Sequence, residues 1–320
     1  MTFRRKAGLS GSASARNEEV PVKALVVEGS RAAVRDVPLP RPRRGFARVR
    51  VLLSGICNTD LELVRGYHAF SGILGHEFVG VVEGPAGSPL LGRRVVGEIN
   101  IACGRCSWCA DGLGRHCPRR TVLGIRGHPG AHAERLTLPE ANLHPVPDPV
   151  PDEVAVFAEP LAAACEVLEQ VEVRPGTRAA VLGAGKLGTL VALVLRAAGA
   201  DVTLIGRGDE LRRRGFDLVV EATGSPAGMP RAIALVRPRG TIVWKSTHHA
   251  PARFDAAPLV VNEVTVVGSR CGPFGPALAL LASGRVDPAP LVSAVMPLAK
   301  GVEALRLAAR PGVRKVLLRP

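Results

Sequence analysis

No stretch of this chain stays apolar for about 18 residues, which excludes a hydrophobic helix that crosses a membrane. Aromatic residues make up only 3% of it, too few for a platform on which single-stranded nucleic acid could stack. The opening MTFRRKAGLSGSASARNEEV is basic but holds no apolar segment, so it does not read as a secretory signal. Residues 1–19 are expected to be a floppy tail with no part in the chemistry. Acidic side chains are also short: 28 against 42 Lys and Arg, a formal net charge of +14. Such an excess raises a nucleic-acid partner. The arginines, however, occur in nearly every decade of the sequence, and the densest cluster is the short LRRRG at 211–215. Without a patch or aromatics, no nucleic-acid partner is expected.

What is present is a globular composition. Hydrophobic residues are 47% of 320, enough for one large domain or two ordinary ones with real cores. Seven cysteines, an odd number, do not make a simple disulfide set. In the absence of a signal, a reducing cytoplasmic location is the expectation, and clustered cysteines there suggest metal.

Four of the seven stand in CGRCSWCADGLGRHC, as Cys103, Cys106, Cys109 and Cys117, spaced C-x2-C-x2-C-x7-C. Two-residue gaps let sulfurs converge on one tetrahedral ion at about 2.3 Å. Four thiolates leave no open position, so this reads as a structural zinc site. Four unrelated buried cysteines would not fall at regular gaps in a glycine-rich loop.

A second group lies in GICNTDLELVRGYHAFSGILGHEFVGVV. Cys57 and His76 have the right chemistry for a catalytic zinc, which needs three protein ligands and one open position. Asp60 could hold the second nitrogen of His76. The third ligand must come from elsewhere, and FAEPLAAACEVLEQ offers Glu159. Taken one at a time, these are equally a small core cysteine, a satisfied histidine and a favourable first-turn charge.

RPGTRAAVLGAGKLGTLVALVLRAAGADVTLIGR is more specific. A strand over 178–182 leads into Gly183, Gly185 and Gly188, then a helical run and the strand DVTLI. A G-x-G-x-x-G turn inside such a βαβ unit is a dinucleotide-binding fingerprint. Its glycines allow a tight turn and close backbone approach to a pyrophosphate at the helix N-terminus. Lys186 and Leu187 lie within it. The second strand ends at Gly206 and Arg207, where NAD sites carry an acid. A small residue followed by a guanidinium suits a 2′-phosphate, so NADP(H) is expected over NAD(H), with Asp209 arguing the other way. Only GDELRRRGF separates that tip from the next core strand, DLVVEATG. The edge strand and helix of a full doubly wound sheet have no room there, so a shortened nucleotide-binding domain is expected.

Together, GICNTD, GHEFVGVV, the four-cysteine lobe, EPLA and VLGAGKLG occur in an order that resembles the zinc-containing medium-chain dehydrogenase/reductase family, over roughly residues 20–320. The resemblance implies an α/β chain. A GroES-like β-barrel catalytic domain spans 20–155 and 287–320, with its structural zinc lobe at 100–118. A shortened Rossmann doubly wound parallel sheet spans 156–286. It implies that Cys57, His76 and Glu159 hold the catalytic zinc, Glu159 standing where alcohol dehydrogenases proper have cysteine. Glu77 matches a glutamate that approaches the metal, Thr59 the hydroxyl that relays the substrate proton, and Asp60 the partner of the histidine. Glu62 stands where a proton-path histidine often lies. Cys165 and Cys271 have no family role and read as packing. Residues near Tyr67, His68 and Phe70 and near Arg270 could wall the pocket or simply pack.

The implied activity is hydride transfer between a nicotinamide cofactor and a secondary alcohol or polyol and its ketone, with two zinc ions per chain. The implied partners are that small alcohol or carbonyl substrate and further copies of the chain, in a dimer or tetramer. Two alternatives are a catalytically inactive cofactor-binding relative, and a basic zinc-lobed nucleic-acid binder whose affinity would fall steeply with salt.

Overall fold

A computed structural model describes residues 21–66, 70–209, 215–247 and 251–320. The expected tail, Tyr67, His68 and residues 211–214 of the arginine cluster lie outside the described residues. Among the described residues, no helix is long and apolar enough to cross a membrane.

The first half of the chain is antiparallel β-structure. Its central strand, Phe46–Gly55, pairs with Glu77–Gly84 on one side and Arg135–Pro139 near its start. Arg94–Gly97 and Leu143–Pro145 extend the sheet. In the strand Val22–Glu28 only Lys23 and Glu28 are exposed, while Val22, Ala24, Leu25 and Val27 are buried, so both of its faces are largely covered. The end of the chain returns to this half. Lys315–Arg319 pairs with Phe46–Gly55 and, in parallel, with Val292–Pro297. The distant C-terminal segment thereby completes the sheet that carries the first-half site residues.

Between them lies a five-stranded parallel sheet, in the order Asp201–Ile205, Arg178–Leu182, Phe216–Glu221, Val236–Trp244, Thr265–Gly268. Arg178–Leu182 is buried on four of its five residues, because helices cover both faces of a parallel sheet. Asp201–Ile205 is the edge. The six-strand doubly wound order places one more strand outside it; among the described residues that strand is absent, as the short GDELRRRGF connection requires. The helix Ala158–Gln170 packs its apolar side into the core shared with Lys186–Ala197 and Phe274–Ala282. That core therefore joins the two halves.

At the turn after Arg178–Leu182, Gly183 has φ +104°, in the left-handed region. A Cβ at Gly183 would also overlap the Ala222 carbonyl. Gly183→Ala is expected to cost roughly 3 kcal/mol or more, from strain and overlap together. Urea unfolding measures this loss.

Candidate active site

Cys57 caps the helix Asn58–Val64, and Asp60 is that helix's third residue. The position lets the Asp60 carboxylate turn back and accept the Cys57 backbone N–H at 2.7 Å. Its other oxygen accepts the Gly75 N–H at 3.1 Å. One fully buried carboxylate therefore joins the two loops that carry Cys57 and His76. Gly75 has φ +96°, and a Cβ there would run into His132, so glycine is required for the close approach.

His76 is 3% exposed, and its Nδ1 lies 3.5 Å from Asp60 Oδ1. Burial works to lower the His76 imidazole, but the Asp60 charge overrides it and holds the group well above its ordinary range. Burial likewise works to raise Asp60, but the His76 charge, with His132 beside it, holds it well below the carboxylate range. A cation at the His76 ring would favour the neutral imidazole instead. His132, which sequence reasoning missed, is the second histidine. Its Nε2 lies 3.7 Å from Asp60 Oδ2, and its Nδ1 is 2.8 Å from Ser54 Oγ. It sits as a lone histidine in the otherwise ordinary strand approach GAHAERL, and only its polarity at a buried position could have marked it.

Potential ligand atoms of Cys57, His76 and Glu77 all lie within 4.8 Å of one another. Glu159, grouped with Cys57 and His76 in the sequence analysis, is not in that set. Glu77 follows His76 directly, whereas Glu159 arrives on the separate helix Ala158–Gln170. Glu159 is near enough for the charges of His76 and Glu77 to act on it, and burial pushes its carboxyl up to about 7. Among the described residues its side chain has no ion pair or hydrogen bond. Glu77 does: it pairs with Lys315, and the two are 1% and 2% exposed. Burial opposes the Lys315 charge, but Glu77 overrides it and raises the ammonium above its ordinary pKa. Thr59 Oγ1 stands 3.9 Å from Cys57 Sγ. Glu62 pairs with Arg65 at 2.6 Å near the surface.

The nucleotide half meets this site directly. Gly185 caps the helix Lys186–Ala197, Gly188 is buried in its first turn, and Leu187 is half-buried beside it. Lys186 Nζ donates to Asn58 Oδ1 at 3.3 Å, linking the glycine turn to the helix next to Cys57. Arg207 is exposed at the tip of the second strand. Asp209 is also exposed, and its carboxylate accepts the Gly206 N–H at 2.7 Å.

Cys103, Cys106, Cys109 and Cys117 also converge within 4.8 Å. Backbone hydrogen bonding at Arg105 pulls the Cys103 thiol down to about 6, while Cys106, against a backbone hydrogen bond from Cys109, is pushed up to about 11 by desolvation and by hydrogen bonding with its sulfur neighbours. Four sulfurs this close cannot all ionise without a cation among them, so the donor chemistry fits zinc. The set of Cys57, His76 and Glu77 brings a sulfur, an imidazole and a carboxylate together, donor types that zinc accepts. Cys165 is buried in the core, and Cys271 is partly buried near Asn100.

The Lys315–Glu77 pair yields a double-mutant test. Lys315→Met is expected to destabilise the fold by about 3–5 kcal/mol, because Glu77 is left buried and uncompensated. Adding Glu77→Leu should restore most of that loss in chemical denaturation.

Two family models match the chain. "Alcohol dehydrogenase GroES-like domain" covers residues 43–148, and "Zinc-binding dehydrogenase" covers 192–283. The D-altritol 5-dehydrogenase of Agrobacterium fabrum is 31% identical over 310 residues, 86% of this chain and 92% of that protein. Among solved structures, the alcohol dehydrogenase TADH from Thermus sp. ATN1 is 34% identical with a TM-score of 0.84, covering 93% of this chain and 99% of that one. A zinc-binding dehydrogenase from Sinorhizobium meliloti 1021, bound to NADP, is 26% identical with a TM-score of 0.86, covering 94% and 100%. With its GroES-like and Rossmann-type halves and its converging metal donors, the chain belongs to the zinc-containing medium-chain dehydrogenase/reductase family and is an oxidoreductase acting on alcohols or polyols.

Proposed function

We propose that the chain is a zinc-dependent dehydrogenase that exchanges a hydride between NADP(H) and a secondary alcohol or polyol, using Cys57, His76 and Glu159 around a catalytic zinc. The observation that carries this reading is the meeting of two half-sites. Cys57 and His76 converge on one side, and Lys186 of the glycine turn touches Asn58, the neighbour of Cys57.

Charge balance supports Glu159 as the third ligand, although Glu77 lies nearer. Glu77 already has a buried cation in Lys315. Glu159 makes no ion pair among the described residues, and burial raises its carboxyl to about 7 although the His76 charge works the other way. Glu77 would then be the carboxylate held in reserve beside the metal. Cys103, Cys106, Cys109 and Cys117 would hold a second, structural zinc.

The catalytic zinc, when bound, supplies a Lewis acid that polarises the substrate oxygen and eases loss of the hydroxyl proton. Thr59, next to Cys57, is placed to accept that proton. Asp60 fixes the orientation of the His76 ring, and the Rossmann half positions the nicotinamide against the substrate carbon. The D-altritol enzyme's name favours a polyhydroxy substrate. Exposed Arg207, with Asp209 turned onto Gly206, supports recognition of a 2′-phosphate. The halves at 20–155 with 287–320, and at 156–286, remain our domain division. A cytoplasmic homodimer or homotetramer is our reading of its setting.

The test is a dehydrogenase assay over an alcohol and polyol panel with NADP and NAD, alongside zinc analysis. Wild type should bind two zinc ions and oxidise at least one secondary alcohol faster with NADP. Cys57→Ala and Glu159→Ala should each lower turnover by more than about 100-fold and leave one zinc. Unchanged turnover with both zincs retained in these variants would refute the ligand assignment.

A further inference from the structure

His132 is a polar side chain with no exposed surface, and the backbone fixes its place. Its N–H donates to Leu74 O, and its carbonyl accepts the Leu25 N–H, both at 2.8 Å. The neighbouring Ala131 N–H donates to Gly75 O at 2.8 Å. The segment at 131–132 therefore backs the turn that presents His76. The fit is tight, since a Cβ on Gly75 would lie 2.6 Å from Cγ and Nδ1 of the His132 ring.

A neutral imidazole has one N–H and one bare nitrogen, and the bond made by one nitrogen decides the state of the other. Ser54, on the central strand Phe46–Gly55, is fully buried and places Oγ 2.8 Å from His132 Nδ1. A hydrogen on Nδ1 would leave the Nε2 lone pair facing Asp60 Oδ2 at 3.7 Å, one acceptor against another. With Ser54 donating to Nδ1, the hydrogen sits on Nε2 and faces the carboxylate instead. At 3.7 Å this contact is too long for a hydrogen bond. It is still an attraction between a dipole and a charge, at a place where burial weakens screening.

Asp60 is thereby met on both oxygens in the same way. Oδ2 accepts the Cys57 N–H at 2.7 Å and faces His132 Nε2. Oδ1 accepts the Gly75 N–H at 3.1 Å and faces His76 Nδ1 at 3.5 Å. Among the described residues neither imidazole nitrogen has a hydrogen-bond partner, so each has only this carboxylate to turn to. Rotation of the carboxylate toward one ring carries it away from the other. The attraction of His132 on the Oδ2 side balances that of His76 on the Oδ1 side.

We propose that His132 is a positioning residue for the Cys57–His76 centre. Held by Ser54 with its hydrogen on Nε2, it keeps Asp60 in the orientation that engages His76 Nδ1 and leaves the other nitrogen of that ring for the ion. Neither Ser54 nor His132 touches the reacting groups, and both act through Asp60. The proposal rests on the zinc-dehydrogenase reading above and adds these two residues to it.

The experiment uses the full chain loaded with zinc and compares wild type, His132→Gln, His132→Leu and Ser54→Ala. Glutamine offers an N–H where the histidine has Nε2, and leucine offers none. The readouts are zinc per chain along a graded chelator series, the visible spectrum after Co2+ replaces the catalytic zinc, and the urea midpoint. Wild type should hold two zinc ions. His132→Leu should hold the second about 10- to 100-fold more weakly, the cost typical of losing such an outer partner, with the four-cysteine zinc unchanged. His132→Gln should restore most of that affinity and the wild-type Co2+ spectrum, and Ser54→Ala should fall between wild type and His132→Leu. Wild-type affinity for the second zinc in His132→Leu would overturn the proposal, as would equal losses in His132→Gln and His132→Leu. Should His132→Leu fail to fold, unchanged affinity in Ser54→Ala would overturn it. Two zinc ions in wild type with no loss in the variants sinks the role of His132 and keeps the dehydrogenase reading. A wild type that holds only the four-cysteine zinc at saturation sinks that reading, and the proposal with it.

Discussion

One buried carboxylate holds the site together. Asp60 accepts backbone N–H groups from Cys57 and Gly75 and faces the His76 and His132 imidazoles. A charge with no exposed surface is tolerable only when its acceptor positions are filled. That requirement fixes the approach of the Cys57 loop to the Gly75–His76 turn, and with it the separation of the two side chains. It also explains why Gly75 has no side chain and why a polar His132 stands in a core strand region. Replacing Asp60 by an apolar residue would strand the two backbone donors at once.

Charge compensation then extends outward along the fold. The last strand, Lys315–Arg319, closes the sheet beside Phe46–Gly55 and brings Lys315 to Glu77. The C-terminal segment thus pairs one of the two carboxylates near the donor set and leaves Glu159 without an ion pair among the described residues. From the nucleotide half, Lys186 reaches Asn58 and Lys245 reaches the loop at Ser269 and Arg270. The four-cysteine lobe joins the same network through Arg115, which touches both the helix bearing Glu159 and the Cys271 carbonyl. The lobe therefore braces the crevice as well as its own loop.

The features legible in the sequence were those whose geometry is local. The C-x2-C-x2-C-x7-C spacing alone brings four sulfurs together, and the glycine fingerprint lies inside one strand–turn–helix unit. The missing edge strand was visible because GDELRRRGF is too short to hold one. Asp60 could be paired with His76 because of its short spacing after Cys57. What escaped depended on closure of the whole chain. Lys315 lies 238 residues from Glu77, and no local pattern announces that pair. His132 likewise acquires its meaning only from what packs around it. The Glu159 position shows the boundary between these cases: a family pattern selects it as a ligand, while simple adjacency puts Glu77 closer to Cys57 and His76.

The central claim is that a thiolate and an imidazole from the first half share one ion beside the dinucleotide turn. Zinc anomalous diffraction from crystals of the full chain tests it most directly. The account predicts two peaks, one amid Cys103, Cys106, Cys109 and Cys117, and one within about 2.0–2.3 Å of Cys57 Sγ and a His76 ring nitrogen. A single peak confined to the four-cysteine lobe, in zinc-saturated crystals, would contradict it.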